Sequence, residues 1–413
     1  MRIGFLFPSI YASQVLFSDK IFAPRELAID MVNGLVDAGH EVTVYSVPDL
    51  PIKAKLVSEP LDSIKNPLPY YKFRGVDESH RHIVESEFAK HHYELNLTMK
   101  AFQDAHKEVF DVMHVYHDSA MFFSHYLDEL MHDIPVVYTL HDPLPPPNTY
   151  EFGEFAKFLH HNYVSISNSF RKSDLALNFV ATAYHGINLE DYPFNPSPED
   201  HYLFLGRLVP EKGLHNAIAA VSQTGDKLVV SVNLPVKGEE NDYYQKTIGS
   251  LPSLWSSRDL GASVKANADG AANHATPRDG QLTILPVVDK KTRIELYGQA
   301  KALLFPIEWE EPFGIVLIEA MACGTPVIAY NRGSVPEIVK DGVTGFIIDP
   351  DDAPRSGKGT WIIKKQGIEG IIDAMGHISE LKREDCRAHV KDVFSVGNMI
   401  HSYEAIYQGL QKK

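Results

Sequence analysis

Arg207 and Lys212 stand five residues apart in the stretch Gly206-Arg207-Leu208-Val209-Pro210-Glu211-Lys212-Gly213, directly after the apolar run 201–205. On a strand-to-helix turn two such cations converge, and fixed cations beside a helix N-terminus suit a pyrophosphate. Further along, Glu308-Trp309-Glu310-Glu311-Pro312-Phe313-Gly314 precedes a helix-patterned run that begins at Ile315 and carries Glu319. Amides around Gly314, Ile315 and Val316 are expected to be first-turn donors with no intrahelical acceptor, open to anionic oxygens. Eight residues of helix advance about 12 Å, the scale that separates the sugar from the ribose in a sugar nucleotide. Glu311 and Glu319 are thus spaced so that one meets a sugar and the other ribose hydroxyls. Glu308 and Glu310 are read as structural carboxylates in ion pairs.

Other polar groupings carry less. His141-Asp142 follows the apolar run 135–140 at what should be the end of a strand. His114 and His117 are three apart, but no third ligand of suitable spacing accompanies them, and no metal is expected there. Gly357-Lys358-Gly359-Thr360 hints at a phosphate loop; the Walker pattern needs glycine where Asp352 stands, so residues 351–360 are read as a surface loop. Ser334 and Glu337 have the spacing of a capping box, with Ser334 as the N-cap.

The elements that position these residues follow from periodicity. Residues 2–7 form a short apolar strand, 25–38 carry Leu27, Met31 and Leu35 at helical spacing, Gly39 supplies a left-handed cap, and 41–47 form a second strand. Strand signals recur at 112–116, 135–140 and 163–167. A second series of alternating strands and helices begins after the Pro-rich segment 193–198, which is the best linker. Such alternation implies parallel sheets covered on both faces. The division expected is 1–190 and 191–395, with a terminal helix at about 396–413 that returns to the first domain. Residues 256–281, rich in Ala, Gly, Asn and Asp, look like an inserted loop.

Composition sets the outer limits. The chain has 413 residues, 44% of them hydrophobic, two cysteines, and 39 basic against 54 acidic side chains. It is an ordinary globular composition, with too few cysteines for a disulfide framework. No stretch approaches the roughly 18 apolar residues of a membrane span, and the opening run is too short for a signal peptide; a soluble, cytoplasmic protein with no integral membrane segment is expected. Residues 1–185 carry 15 basic and 24 acidic side chains, a balance of −9, and the remainder is also acidic. Nucleic acid is therefore not an expected partner.

The run from Glu311 to Ala329 resembles the Glu-x7-Glu signature of retaining glycosyltransferase family 4, and residues 333–346 resemble its continuation. Residues 206–213 resemble the same family's pyrophosphate-binding turn. The resemblance is specific over about residues 200–350 and thin in the first half. It implies the GT-B fold, an α/β architecture of two Rossmann-like doubly wound parallel-sheet domains facing across a cleft, with the donor nucleotide sugar held mainly by the second. By that resemblance Arg207 and Lys212 meet the donor diphosphate, Glu311 the transferred sugar and Glu319 the ribose. Gly206 and the backbone of Phe313, Gly314, Ile315 and Val316 line the donor. His141 resembles the family's histidine that contacts the donor sugar and helps to stabilise developing positive charge; with Arg207, Lys212 and Glu311 it makes the expected catalytic set. Asp142 and His117 fall on the acceptor side. The Gly-Gly turn common after the family's first strand is replaced by residues 10–20, which contain no glycine, leaving Ser18 or Lys20 to make those contacts.

The reaction so implied is transfer of a glycosyl group from a nucleotide diphosphate sugar, UDP-linked by its frequency in such enzymes, to an acceptor hydroxyl with retention at the anomeric carbon. No cofactor is expected, and no metal, because Arg207, Lys212 and the Gly314 helix terminus supply the positive charge. The acceptor is expected to be a small or carbohydrate molecule, soluble because the first domain is acidic. Two rivals share the architecture: a nucleotide-sugar epimerase, and a non-catalytic nucleotide-sugar binding protein.

Overall fold

The computed structural model describes residues 1–17, 22–61, 64, 78–107, 109–116, 121–131, 134–172, 175–234, 242–249, 255–256, 281–351 and 361–411. Ser18, Lys20 and His117 lie outside this description, as do nearly all of the expected loops 256–281 and 351–360. The chain divides into one unit of Met1–Gly186 with Val396–Lys413 and another of Ile187–Ser395.

The first unit is built on seven strands: β1 (Arg2–Leu6), β2 (Glu41–Tyr45), β3 (Lys55–Val57), β4 (Val112–Val115), β5 (Val136–Leu140), β6 (Asn162–Ser165) and β7 (Phe179–Thr182). Their order is β3-β2-β1-β4-β5-β6-β7, and neighbouring strands are parallel. Every residue of β4 and β5 is buried, as strands covered on both faces require. The helix Ala23–Asp37 buries Leu27, Ala28, Met31, Val32 and Leu35, the stripe its spacing predicts. The terminal helix Val396–Gln411 packs on it and buries Met399, Ile400, Tyr403, Ile406, Tyr407 and Leu410. Its Tyr407 hydroxyl lies 2.7 Å from His114 Nδ1, and Thr139 Oγ1 is 2.8 Å from His114 Nε2. Both ring nitrogens of His114 are therefore satisfied inside the core by neutral groups.

The second unit repeats the plan with β8 (Tyr202–Gly206), β9 (Leu228–Val232), β10 (Trp255–Ser256), β11 (Leu282–Leu285), β12 (Leu303–Phe305), β13 (Val327–Tyr330) and β14 (Gly345–Ile348), ordered β10-β11-β9-β8-β12-β13-β14 and parallel. The Pro-rich segment is not a free linker. Asn195 N donates to Cys323 O at 3.0 Å, Asn195 Nδ2 to Gly298 O at 3.0 Å, and Arg383 Nε to Asn195 O at 2.6 Å. The segment lies within the second unit, and these bonds hold it against the rest of that unit. No helix among the described residues is long and apolar enough to cross a membrane.

Candidate functional site

In open parallel sheets, ligands bind beyond the carboxyl ends of the strands where the strand order reverses. In the second unit the reversal falls between β8 and β12. The turns that leave these two strands are those carrying Arg207, Lys212 and Glu311. They are fastened together: Glu308 N donates to Glu211 O at 2.8 Å. Gly213 (φ 71°) lies where a Cβ would stand 1.8 Å from Pro306 O, so only glycine allows this approach. The turn after β13 closes the group, with Ser334 N donating to Glu311 O at 2.9 Å.

At the centre, Lys212 Nζ and Trp309 Nε1 both donate to Glu311 Oε2, at 2.7 and 2.8 Å. The Lys212 ammonium also sits 4.9 Å from the centroid of the Trp309 ring, a cation–π contact. The Lys212 and Glu311 side chains are only 14% and 11% exposed, so their attraction is little screened by water. Glu311 Oε1 has no partner among the described residues. One oxygen of this carboxylate is thus fixed and the other is open to a hydroxyl donor. Arg207 is exposed and has no ion pair among the described residues. The helix Ile315–Ala322 starts after Gly314; the Leu317 amide donates to Gly314 O at 3.0 Å, which leaves those of Ile315 and Val316 as the first-turn donors without an intrahelical acceptor.

Glu308 and Glu310 behave as the structural carboxylates expected. Glu308 Oε1 accepts from Asn216 Nδ2 at 2.8 Å and lies 3.1 Å from His215 Nε2. Glu310 Oε2 accepts from Gly333 N at 2.7 Å. One expectation needs correction. Ser334 makes no side-chain cap; its hydroxyl turns inward and donates to Phe313 O at 2.7 Å, because the buried carbonyl of Phe313 needs a donor more than an amide at a short helix start does. Glu319, expected to meet the ribose, is buried. Its Oε1 accepts from Tyr192 at 2.8 Å and Arg293 at 3.4 Å, and its Oε2 from Tyr297 at 2.7 Å. Burial and the charge of Glu319 push the Tyr297 phenol well above its usual pKa, so it stays a donor.

In the first unit His141 immediately follows β5. Its ring meets Tyr116 edge-on at 4.4 Å between centroids and stacks on His185 at 5.2 Å, with 5° between planes. Burial pushes its pKa down to about 4, against the opposing charge of Asp142 and a hydrogen bond to the Tyr116 backbone. At neutral pH the imidazole is uncharged. Its Nε2 is buried with no partner among the described residues. Asp142 beside it is exposed. Trp309, Tyr116 and His185 escaped the sequence reading; only Trp309, sitting inside the acidic run, offered a signal.

With this geometry in place, comparison with known proteins is informative. Residues 271–358 match the family model of Glycosyl transferases group 1. That stretch contains Glu311 and the turns after β12 and β13, but it covers only a minority of the chain. Over 122 residues the chain is 35% identical to an uncharacterized 41.2 kDa protein in the cps region of Klebsiella pneumoniae, covering 29% of this chain and 30% of that protein. Over 264 residues it is 25% identical to alpha-maltose-1-phosphate synthase of Mycobacterium tuberculosis, covering 55% and 62%. The chain thus spans less than two thirds of the length of either curated relative. Among solved structures, the HepE protein of Anabaena in complex with UDP and glucose aligns over 99% of this chain and 100% of its own, at 17% identity and a TM-score of 0.61. That whole-length likeness gives the GT-B fold, with its two Rossmann-like units.

Proposed function

We propose that the chain is a retaining glycosyltransferase that moves a sugar from a nucleotide diphosphate sugar, UDP-linked, to the hydroxyl of a small or carbohydrate acceptor, without a metal ion at the transfer step. The observation that carries this reading is Glu311, held by Lys212 and Trp309 through one oxygen and open at the other, at the strand-order reversal of the second unit. The group 1 family match over residues 271–358, which include Trp309 and Glu311, supports it. Lys212 gives one of its three donors to Glu311, leaving two for phosphate oxygens beside Arg207 and the amides of Gly314, Ile315 and Val316. These fixed positive groups stabilise the departing nucleoside diphosphate as the glycosidic bond breaks. The open Oε1 of Glu311 accepts from sugar hydroxyls. The neutral His141 contributes a buried Nε2 that accepts a hydrogen bond in the absence of a competing partner.

The test is incubation with UDP-, GDP- and ADP-sugars, following slow donor hydrolysis by anomer-resolved NMR. Free sugar released with its anomeric configuration kept supports the proposal. An epimerised nucleotide sugar, or donor bound without turnover, would sink it. The same assay with EDTA is expected to proceed at an unchanged rate, and loss of turnover would remove the metal-free part of the reading.

A further inference from the structure

At the end of the first-unit sheet opposite His141, the helix Met121–Met131 and the turn before β6 bring together imidazoles and carboxylates that the proposed reaction does not use. Glu129 Oε1 lies 2.7 Å from His160 Nε2 and 2.9 Å from His161 Nε2. One ligand-type atom from each of the three residues falls within 4.8 Å of the others. The geometry points to a binding site for a divalent first-row metal of the zinc class, with Glu129, His160 and His161 as ligands and water in the remaining position. Donor atoms around a tetrahedral zinc are about 3.4 Å apart, so the two nitrogens need to open by about 0.5–0.7 Å around the carboxylate oxygen.

The surroundings of His161 match those of a metal ligand. It is 6% exposed, and its Nδ1 lies 2.7 Å from His125 Nδ1 and 3.6 Å from Asp128 Oδ2. The Tyr163 hydroxyl donates to Phe158 O at 3.0 Å and lies 3.3 Å from His125 Nε2. With that hydroxyl committed to Phe158, His125 Nε2 is the donor to Tyr163 and His125 Nδ1 is the acceptor. His161 must then carry a proton on Nδ1, with its Nε2 directed at Glu129. At 2.9 Å that nitrogen and the carboxylate oxygen need a cation between them, either a second ring proton or a metal ion. Outer hydrogen bonds that fix the tautomer and orientation of a ligating histidine are the usual support of such sites. A donor set of two imidazole nitrogens and one carboxylate oxygen, with a solvent-accessible third side, suits zinc better than magnesium or calcium.

The experiment is a zinc titration of the full chain, stripped with EDTA and read by competition with a chromophoric chelator. One zinc per chain is expected. His160→Ala, at a side chain 67% exposed, and Glu129→Gln should each weaken it more than tenfold. His401→Ala, at an 87% exposed side chain elsewhere, should leave it unchanged. Zinc should raise the Tm of the parent chain and not that of the two ligand variants, whose circular dichroism should match the parent's. Absence of stoichiometric binding, or affinity kept in either ligand variant, overturns the assignment. Donor-sugar turnover is a separate readout, so failure here leaves the transferase proposal untouched.

Discussion

Glu311 shows how one side chain is divided between structure and chemistry. Its Oε2 takes two donors and its Oε1 takes none among the described residues. Lys212→Ala removes charge-assisted bonds worth about 1.5–3 kcal/mol, and calorimetry should show nucleoside diphosphate binding weakened roughly ten- to a hundredfold. Unchanged binding would remove Lys212 from the donor site. Glu311→Gln keeps the shape but loses the anion. Donor turnover should fall about 10²-fold while diphosphate affinity stays within a few-fold, which separates a sugar contact from a phosphate contact. Trp309→Phe keeps the ring against Lys212 and deletes the indole donor; a loss near 1 kcal/mol in turnover, with ground-state binding intact, is the expected result. The positions of Arg207, Lys212 and Glu311 were legible in the sequence because each sits on a strand-to-helix turn. Their pairing was not, since Lys212 and Glu311 are 99 residues apart.

At the scale of elements, the site depends on how closely the turn after β8 can approach the turn after β12. Gly213 and Gly225 both have positive φ, 71° and 78°. A Cβ at Gly213 would collide with Pro306 O at 1.8 Å, whereas a Cβ at Gly225 would meet nothing within 4 Å. Gly225→Ala should therefore cost only the left-handed penalty, about 1 kcal/mol. Gly213→Ala should cost about 3 kcal/mol or more and separate the two turns. Denaturant midpoints of the two variants check this, and equal shifts would show that the contact does not constrain the backbone. The helices and strands placed from sequence agree with the observed ones to within about two residues, because burial on one stripe or both faces dictates the pattern locally; the helix Glu78–His106 and the strands β3, β7 and β14 were not placed. What holds the Pro-rich segment could not be read locally, because the hydrogen bonds that pin Asn195 involve Cys323, Gly298 and Arg383.

For the molecule as a whole, the first unit buries several histidines in their neutral form. Burial lowers His114 to about 3, His141 to about 4, and His185 well below its ordinary value. Depressed histidine pKa values mean that the unfolded chain binds protons the folded chain refuses. Their contribution is fully present above the unfolded value near 6.5 and is lost progressively as pH falls from there towards the folded values. Each costs about 1.4 kcal/mol per pH unit in that window. The Tm of the first unit should be level above about pH 7 and drop steeply between about pH 6.5 and 5. A flat profile across that range would show that these rings are not held neutral.

What the sequence determined by itself was the alternation of strands and helices, hence two parallel-sheet units, and the turns on which cations and a carboxylate sit. Both are encoded within a few residues, by apolar period and by glycine at the turn. The tertiary structure decided which partner satisfies each polar group. It set Lys212 and Trp309 on one oxygen of Glu311, turned Ser334 onto Phe313, enclosed Glu319 among Tyr192, Tyr297 and Arg293, and gathered Glu129, His160 and His161. A hydrogen bond forms only within about 3 Å, and which segments come that close is set by strand order and crossover, which no local pattern records.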